Sequence, residues 1–71
     1  MKYLVNKICV DGRGISVKET LEDAKKEWAS VCIEVFEVKD EQLAEIRATG
    51  GNDYDKACDY LKANCTMVYK D

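Results

Sequence analysis

Thiols and carboxylates are the side chains in this sequence whose types could do chemistry, and their spacing decides which kind. The four cysteines, Cys9, Cys32, Cys58 and Cys65, stand 23, 26 and 7 positions apart, so there is no Cys-x-x-Cys pair. A zinc site needs three or four thiolate or imidazole ligands converging at about 2.0–2.3 Å, and the 71 residues include no histidine. The same absence leaves no imidazole to activate a thiol as a nucleophile. Cysteines scattered in this way act as small buried hydrophobes, so neither a metal site nor a cofactor is expected. In a reducing compartment they remain thiols. In an oxidising one, four cysteines would allow three pairings.

The carboxylates outnumber the cations by 14 to 11. Paired acid–base catalysis requires two of them facing each other across a substrate-sized cleft. Asp55, Asp59 and Lys62 instead follow at i, i+4 and i+7, on the solvent side of a helix. Glu22, Asp23, Lys26 and Glu27 read as another solvated face. Asp53-Tyr54-Asp55 offers two calcium ligands where an EF-hand loop needs more. Asp11-Gly12-Arg13-Gly14 joins two strands and not a strand to a helix, so it lacks the helix dipole that holds a phosphate. Gly50-Gly51-Asn52-Asp53 does precede a helix, but Asp53 and Asp55 would repel an anion. No catalytic residue is expected.

The elements that position these groups follow from periodicity and breakers. Tyr3–Val10 reads as a strand with Leu4, Ile8 and Val10 on one face. A turn at Asp11–Gly14 leads into a second strand, in which Ile15 and Val17 alternate with Ser16 and Lys18. Thr20 caps a helix whose inward stripe is Leu21, Ala24 and Trp28, ending near Ser30. Val31–Val38 is the most β-prone run and carries apolar groups on both faces, which predicts a central strand. Asp40 caps a helix running to Ala48, with Leu43, Ala44 and Ile46 inward, and Gly50-Gly51 ends it. Asn52 or Asp53 caps the next, on which Tyr54, Ala57, Cys58 and Leu61 share a face. Asn64 is its left-handed stop, and Cys65–Tyr69 is the last strand. The expectation is one α+β domain over residues 1–71. It has a four-stranded, mostly antiparallel sheet with two or three helices on one face, in the order ββαβααβ.

Charge is unevenly distributed along this order. Residues 1–18 sum to +3, residues 19–33 to −2, residues 34–59 to −5 and the remainder to +1, giving the net −3. An acidic second half disfavours direct nucleic-acid binding and favours a basic protein partner. The expected docking face consists of Asp40, Glu41 and Glu45 on one helix with Asp53, Asp55 and Asp59 on or beside the next. Tyr60, displaced from the buried face near Asp59 and Asn64, is expected to join these acids as an aromatic contact residue for the partner. No apolar run approaches the ~20 residues of a membrane span, and Asn6 and Lys7 interrupt the only signal-like start. A cytoplasmic protein is the default expectation.

In size, acidity and lack of catalytic residues, the chain resembles the small inhibitors encoded by phages and mobile elements, including anti-CRISPR proteins. That resemblance of type implies a non-catalytic module that occludes a basic, nucleic-acid-binding host complex. The alternative is a small structural or assembly domain that forms a homodimer through an exposed edge strand, either Ile15–Lys18 or Cys65–Tyr69.

Overall fold

The computed structural model describes residues 1–50 and 54–71. Its strands are β1 (Lys2–Cys9), β2 (Gly12–Lys18), β3 (Cys32–Val38) and β4 (Thr66–Lys70). Its helices are α1 (Leu21–Lys25), α2 (Asp40–Gly50) and α3 (Tyr54–Asn64). The order is ββαβααβ, and the four strands form one antiparallel sheet in the spatial order β2-β1-β3-β4. Strand β3 is interior, as its two apolar faces require.

Alternation along the strands separates two apolar layers. Leu4, Phe36 and Val38 pack with Leu43 and Ile46 of α2 and with Ala57 and Leu61 of α3. Val5, Ile33 and Val35 pack on the opposite face against Ala24 of α1 and Ala29. Two of the three helices therefore share one face, and α1 covers part of the other. Among the described residues no helix is long and apolar enough to cross a membrane.

The hairpin turn lies earlier than expected. Val10 and Asp11 alone connect the strands, with Cys9 opposite Gly12. Gly12, expected in the turn, takes φ +155° and already belongs to β2. Val10 consequently does not share the Leu4 and Ile8 face; it sits in the turn, 84% exposed.

The larger correction concerns α1. Thr20 caps it as expected, its hydroxyl accepting from the Asp23 N–H at 3.2 Å. The helix then stops at Lys25. The Lys26 and Glu27 N–H groups bond three residues back, to Asp23 and Ala24, which tightens and closes the last turn. Beyond it the chain is tied to the sheet. Val31 N–H donates to the Ile8 carbonyl at 3.0 Å, and Val10 N–H donates to the Ser30 hydroxyl at 2.9 Å. Glu27, expected in solvent, is half-buried between Lys7 (3.5 Å) and Lys18 (3.8 Å). Its carboxyl pKa is lowered, first by a hydrogen bond from Ser16 and then by the two ammonium groups. Ala29 occupies the buried position, and Trp28, expected in the core, is left 76% exposed.

Three smaller corrections concern helix ends. Lys39, not Asp40, is the residue before the first turn of α2: its N–H donates to Gln42 Oε1 at 2.9 Å, and its carbonyl accepts from Leu43 N–H at 2.9 Å. Asp40 lies in that first turn, where its charge suits the positive end of the dipole. Helix α2 continues past Ala48 to Gly50. Asn64 is not left-handed, because no described residue other than glycine has positive φ. It ends α3 with a side-chain bond to the Tyr60 carbonyl at 3.1 Å, and Cys65 N–H bonds the Leu61 carbonyl at 2.9 Å. The expected breaker Gly51 and caps Asn52 and Asp53 lie outside the described residues, as does the Tyr54 side chain.

Candidate protein-binding face

Helices α2 and α3 pack side by side, and two polar bonds lock them together. Tyr60 Oη donates to Glu45 Oε2 at 2.6 Å, and Gln42 Nε2 donates to the Asn64 carbonyl at 3.0 Å. Leu43, Ile46, Ala57, Cys58 and Leu61 hold the inner sides of this pair in the core. The outer sides carry the expected acids. Asp40, Glu41, Glu45, Asp55 and Asp59 are all exposed, while Asp53 lies outside the described residues. Glu41 and Glu45 are one turn apart on α2, as are Asp55 and Asp59 on α3.

These acids differ in what balances them. Asp55 Oδ1 accepts from Arg13 Nη1 at 2.8 Å, which clips the start of α3 to the hairpin. Asp40 lies close enough to Lys2 to help raise its pKa, although the hydrogen bond to Glu19 is the main cause. Glu45 is engaged by Tyr60. Glu41 and Asp59 have no ion pair among the described residues. They are the acids most available to an incoming cation.

Tyr60 sits half-buried at the joint between the helices and is not a free contact residue. The hydrogen bond to Glu45, followed by burial and the Glu45 charge, pushes its pKa up to about 12 from the usual 10.0. The neutral phenol is therefore the form that the fold favours. Its stabilising contribution should be complete below pH 10 and should be lost as pH rises from 10 to about 12. Ultraviolet titration of the phenolate band tests this by difference. The transition missing from Tyr60→Phe should centre near 12; a missing transition near 10 would show that the bond to Glu45 does not form in solution.

The thiols are free, with Cys58 buried and Cys9, Cys32 and Cys65 half-buried. Burial raises the Cys65 pKa, which disfavours the thiolate a nucleophile needs. Cys65 lines an open notch of about 210 Å³, with Glu37, Lys39 and Gln42 among its other walls. Among the described residues no three Cys, Asp or Glu side chains are grouped to hold a metal ion.

Two features escape the sequence reading. One is apolar: Val10, Trp28 and Val31 are exposed by 84%, 76% and 58%, and the bonds from Val10 to Ser30 and from Val31 to Ile8 bring the turn and the 26–31 segment together. The other is polar and buried. Asn6 and Glu34 face each other across β1 and β3 on the α3 side of the sheet, each under a tenth exposed. Asn6 Nδ2 donates to Glu34 Oε1 at 3.1 Å and approaches Cys58 Sγ at 3.4 Å. Glu34 Oε2 lies 3.9 Å from Lys70 Nζ. A polar residue on the inward parity of each of two paired strands was the available signal.

Compared with protein-family models, curated proteins and solved structures, the chain matches none.

Proposed function

We propose that this chain is a non-catalytic protein-binding module. Its α2–α3 acids dock on a basic protein surface, of the kind a nucleic-acid-binding complex presents, and occlude it. The supporting observation is that Glu41 and Asp59 stand exposed and unpaired, among the described residues, on adjacent helices whose inner sides are fixed in the core. Carboxylates displayed on a preorganised pair of helices can stand in for the phosphates such a surface reads. The helix backbone that carries them, already fixed by the core, loses little conformational freedom on docking. Charges of this type mainly speed association and fix register. A phage-encoded inhibitor of the anti-CRISPR type would act in this way.

The test is capture of partners by the tagged protein from nuclease-treated bacterial lysate, at low and at high salt. The captured protein should itself bind nucleic acid, and this chain should compete with that nucleic acid for it. The pair Glu41→Lys and Asp59→Lys should weaken capture on the order of tenfold or more at low salt. The difference should shrink as salt shortens the screening length below ~10 Å. Asp59→Lys should change stability by no more than about 0.5 kcal/mol, and Glu41→Lys should cost about 1 kcal/mol, since Glu41 lies in the first turn of α2 at the positive end of its dipole. Asp55 is a poorer probe, because reversing it also releases Arg13. Capture unaffected by the double variant would remove this face as the binding site.

A further inference from the structure

The two edges of the sheet are unequal. Edge strand β4 has five residues and a register shift against β3 between Val35 and Phe36, where Tyr69 faces Val35 but Met67 faces Phe36. A bulge of this kind twists an edge and breaks the regular row of donors and acceptors that another strand would need. Edge strand β2 has seven residues, and every one of them is in unbroken register with β1 from Gly12↔Cys9 to Lys18↔Tyr3.

The direction of the β2 backbone groups follows from one printed pair of bonds carried across the sheet. Ile33 and Asp71 exchange both their N–H and C=O bonds, at 3.3 and 3.1 Å. Successive residues of an antiparallel strand bond to opposite neighbours, so Glu34 turns toward β1, where it meets Asn6. Val5 and Lys7 then turn toward β2, where they meet Ser16 and Gly14. Arg13, Ile15 and Val17 are left with N–H and C=O groups pointing off the edge. No backbone bond to these groups is present among the described residues.

The side chains of the same three residues also face one way. Ile15 and Val17 pack against the helix-side layer but are only half-buried, and Arg13 reaches Asp55 of α3 on that side. We infer that β2 pairs with β2 of a second copy of this chain, antiparallel about Ile15, to give a closed dimer with a continuous eight-stranded sheet. In this register Ile15 meets its own symmetry mate, Arg13 meets Val17, and Gly12 meets Lys18. All three outward residues are used, forming about six main-chain hydrogen bonds. Within Gly12–Lys18 no like charges lie opposite each other, and Asp11 and Glu19 meet only beyond the strand ends, whereas a register centred on Arg13 would oppose two guanidinium groups at the axis. Pairing covers the open flanks of Ile15 and Val17, and the bulged β4 edge stops growth at two copies. A twofold axis through the sheet also puts both α2–α3 pairs on the same side. The dimer itself does not depend on the docking proposed for them.

The test needs no partner. Sedimentation and light scattering from micromolar to millimolar concentration should show the mass rising from 8.1 kDa to double that value, and no further. Ile15→Arg, which sets like charges opposite each other at the axis, should hold the protein at monomer mass with its circular dichroism retained. Should that variant unfold, amide exchange of the unaltered protein decides. The Arg13, Ile15 and Val17 amides should be protected in the dimer and exchange at least tenfold faster on dilution, while those of Gly14 and Ser16 change little. A monomer at every concentration, growth beyond a dimer, or a dimer in which those three amides stay open would each overturn the inference.

Discussion

Phe36→Ala should remove a large share, at least about a third, of the protein's stability in water. Phe36 is the chain's single phenylalanine, 1% exposed, and it joins the sheet to the α2–α3 layer through the cluster of Leu4, Val38, Leu43, Ile46, Ala57 and Leu61. Truncating a buried phenylalanine costs about 3–5 kcal/mol in lost transfer energy and residual cavity. At ~0.05–0.15 kcal/mol per residue, a chain of this length has roughly 4–10 kcal/mol in all. Two thin helices over a four-stranded sheet have few means of collapsing into the void, which favours the upper part of the range. Urea denaturation followed by circular dichroism is the measurement. With a slope near 1 kcal/mol per molar for a small domain, the midpoint should fall by about 3 M or more. Met67→Ala supplies the contrast. Met67 is the register partner of Phe36 on β4 but is 40% exposed, and its truncation should cost far less. Similar losses at the two positions would mean that the α2–α3 layer does not close over Phe36 in solution.

That contrast also shows what could be read from the sequence. The run Val31–Val38 is apolar on both faces, and only an interior strand has a use for that pattern. The alternation of Ile15 and Val17 with Ser16 and Lys18 likewise has one half-exposed solution. The helices after Asp40 and around Tyr54–Asn64 are long enough for their stripes to be decided by local spacing. Helix α1 is not. A helical phase extended from Leu21 and Ala24 reaches Trp28, but tertiary bonds outcompete it. Ser16, Lys7 and Lys18 take Glu27, and Ile8 takes the Val31 N–H, so the tryptophan turns out to solvent. Those partners lie on strands distant in sequence, and periodicity within a segment carries no information about them. The described acids of the docking face, Asp40, Glu41, Glu45, Asp55 and Asp59, were legible individually as exposed positions. Their inequality was not, because Arg13 on Asp55 and Tyr60 on Glu45 are contacts between elements. Asn6 and Glu34 show the same limit: each alone looks like an interruption of an apolar strand, and only the β1–β3 register makes them a pair.

Separating that pair should cost more than removing it. In Asn6→Leu the Glu34 carboxylate keeps its place in the core, 6% exposed, without the amide that donates to it at 3.1 Å. Lys70, 3.9 Å away and 60% exposed, compensates only in part. A buried charge deprived of its partner costs on the order of 3 kcal/mol. Glu34→Leu leaves a milder deficit, the Asn6 amide without its carboxylate acceptor, on the order of 1–3 kcal/mol. Replacing both by leucine removes every polar group of the pair from beneath α3 and exchanges them for apolar volume. Such replacements range from neutral to stabilising. The double variant should therefore be more stable than Asn6→Leu alone, with a coupling energy of about 1–3 kcal/mol from the complete cycle of urea midpoints. Losses that simply add would show that Asn6 and Glu34 are each served by other groups, and that the bond drawn between them is not what satisfies the core. A double variant that recovers stability yet populates more than one conformation in its amide spectrum would assign the pair a different role. It would then be setting the β1–β3 register, since in any slipped pairing both groups would be buried apart.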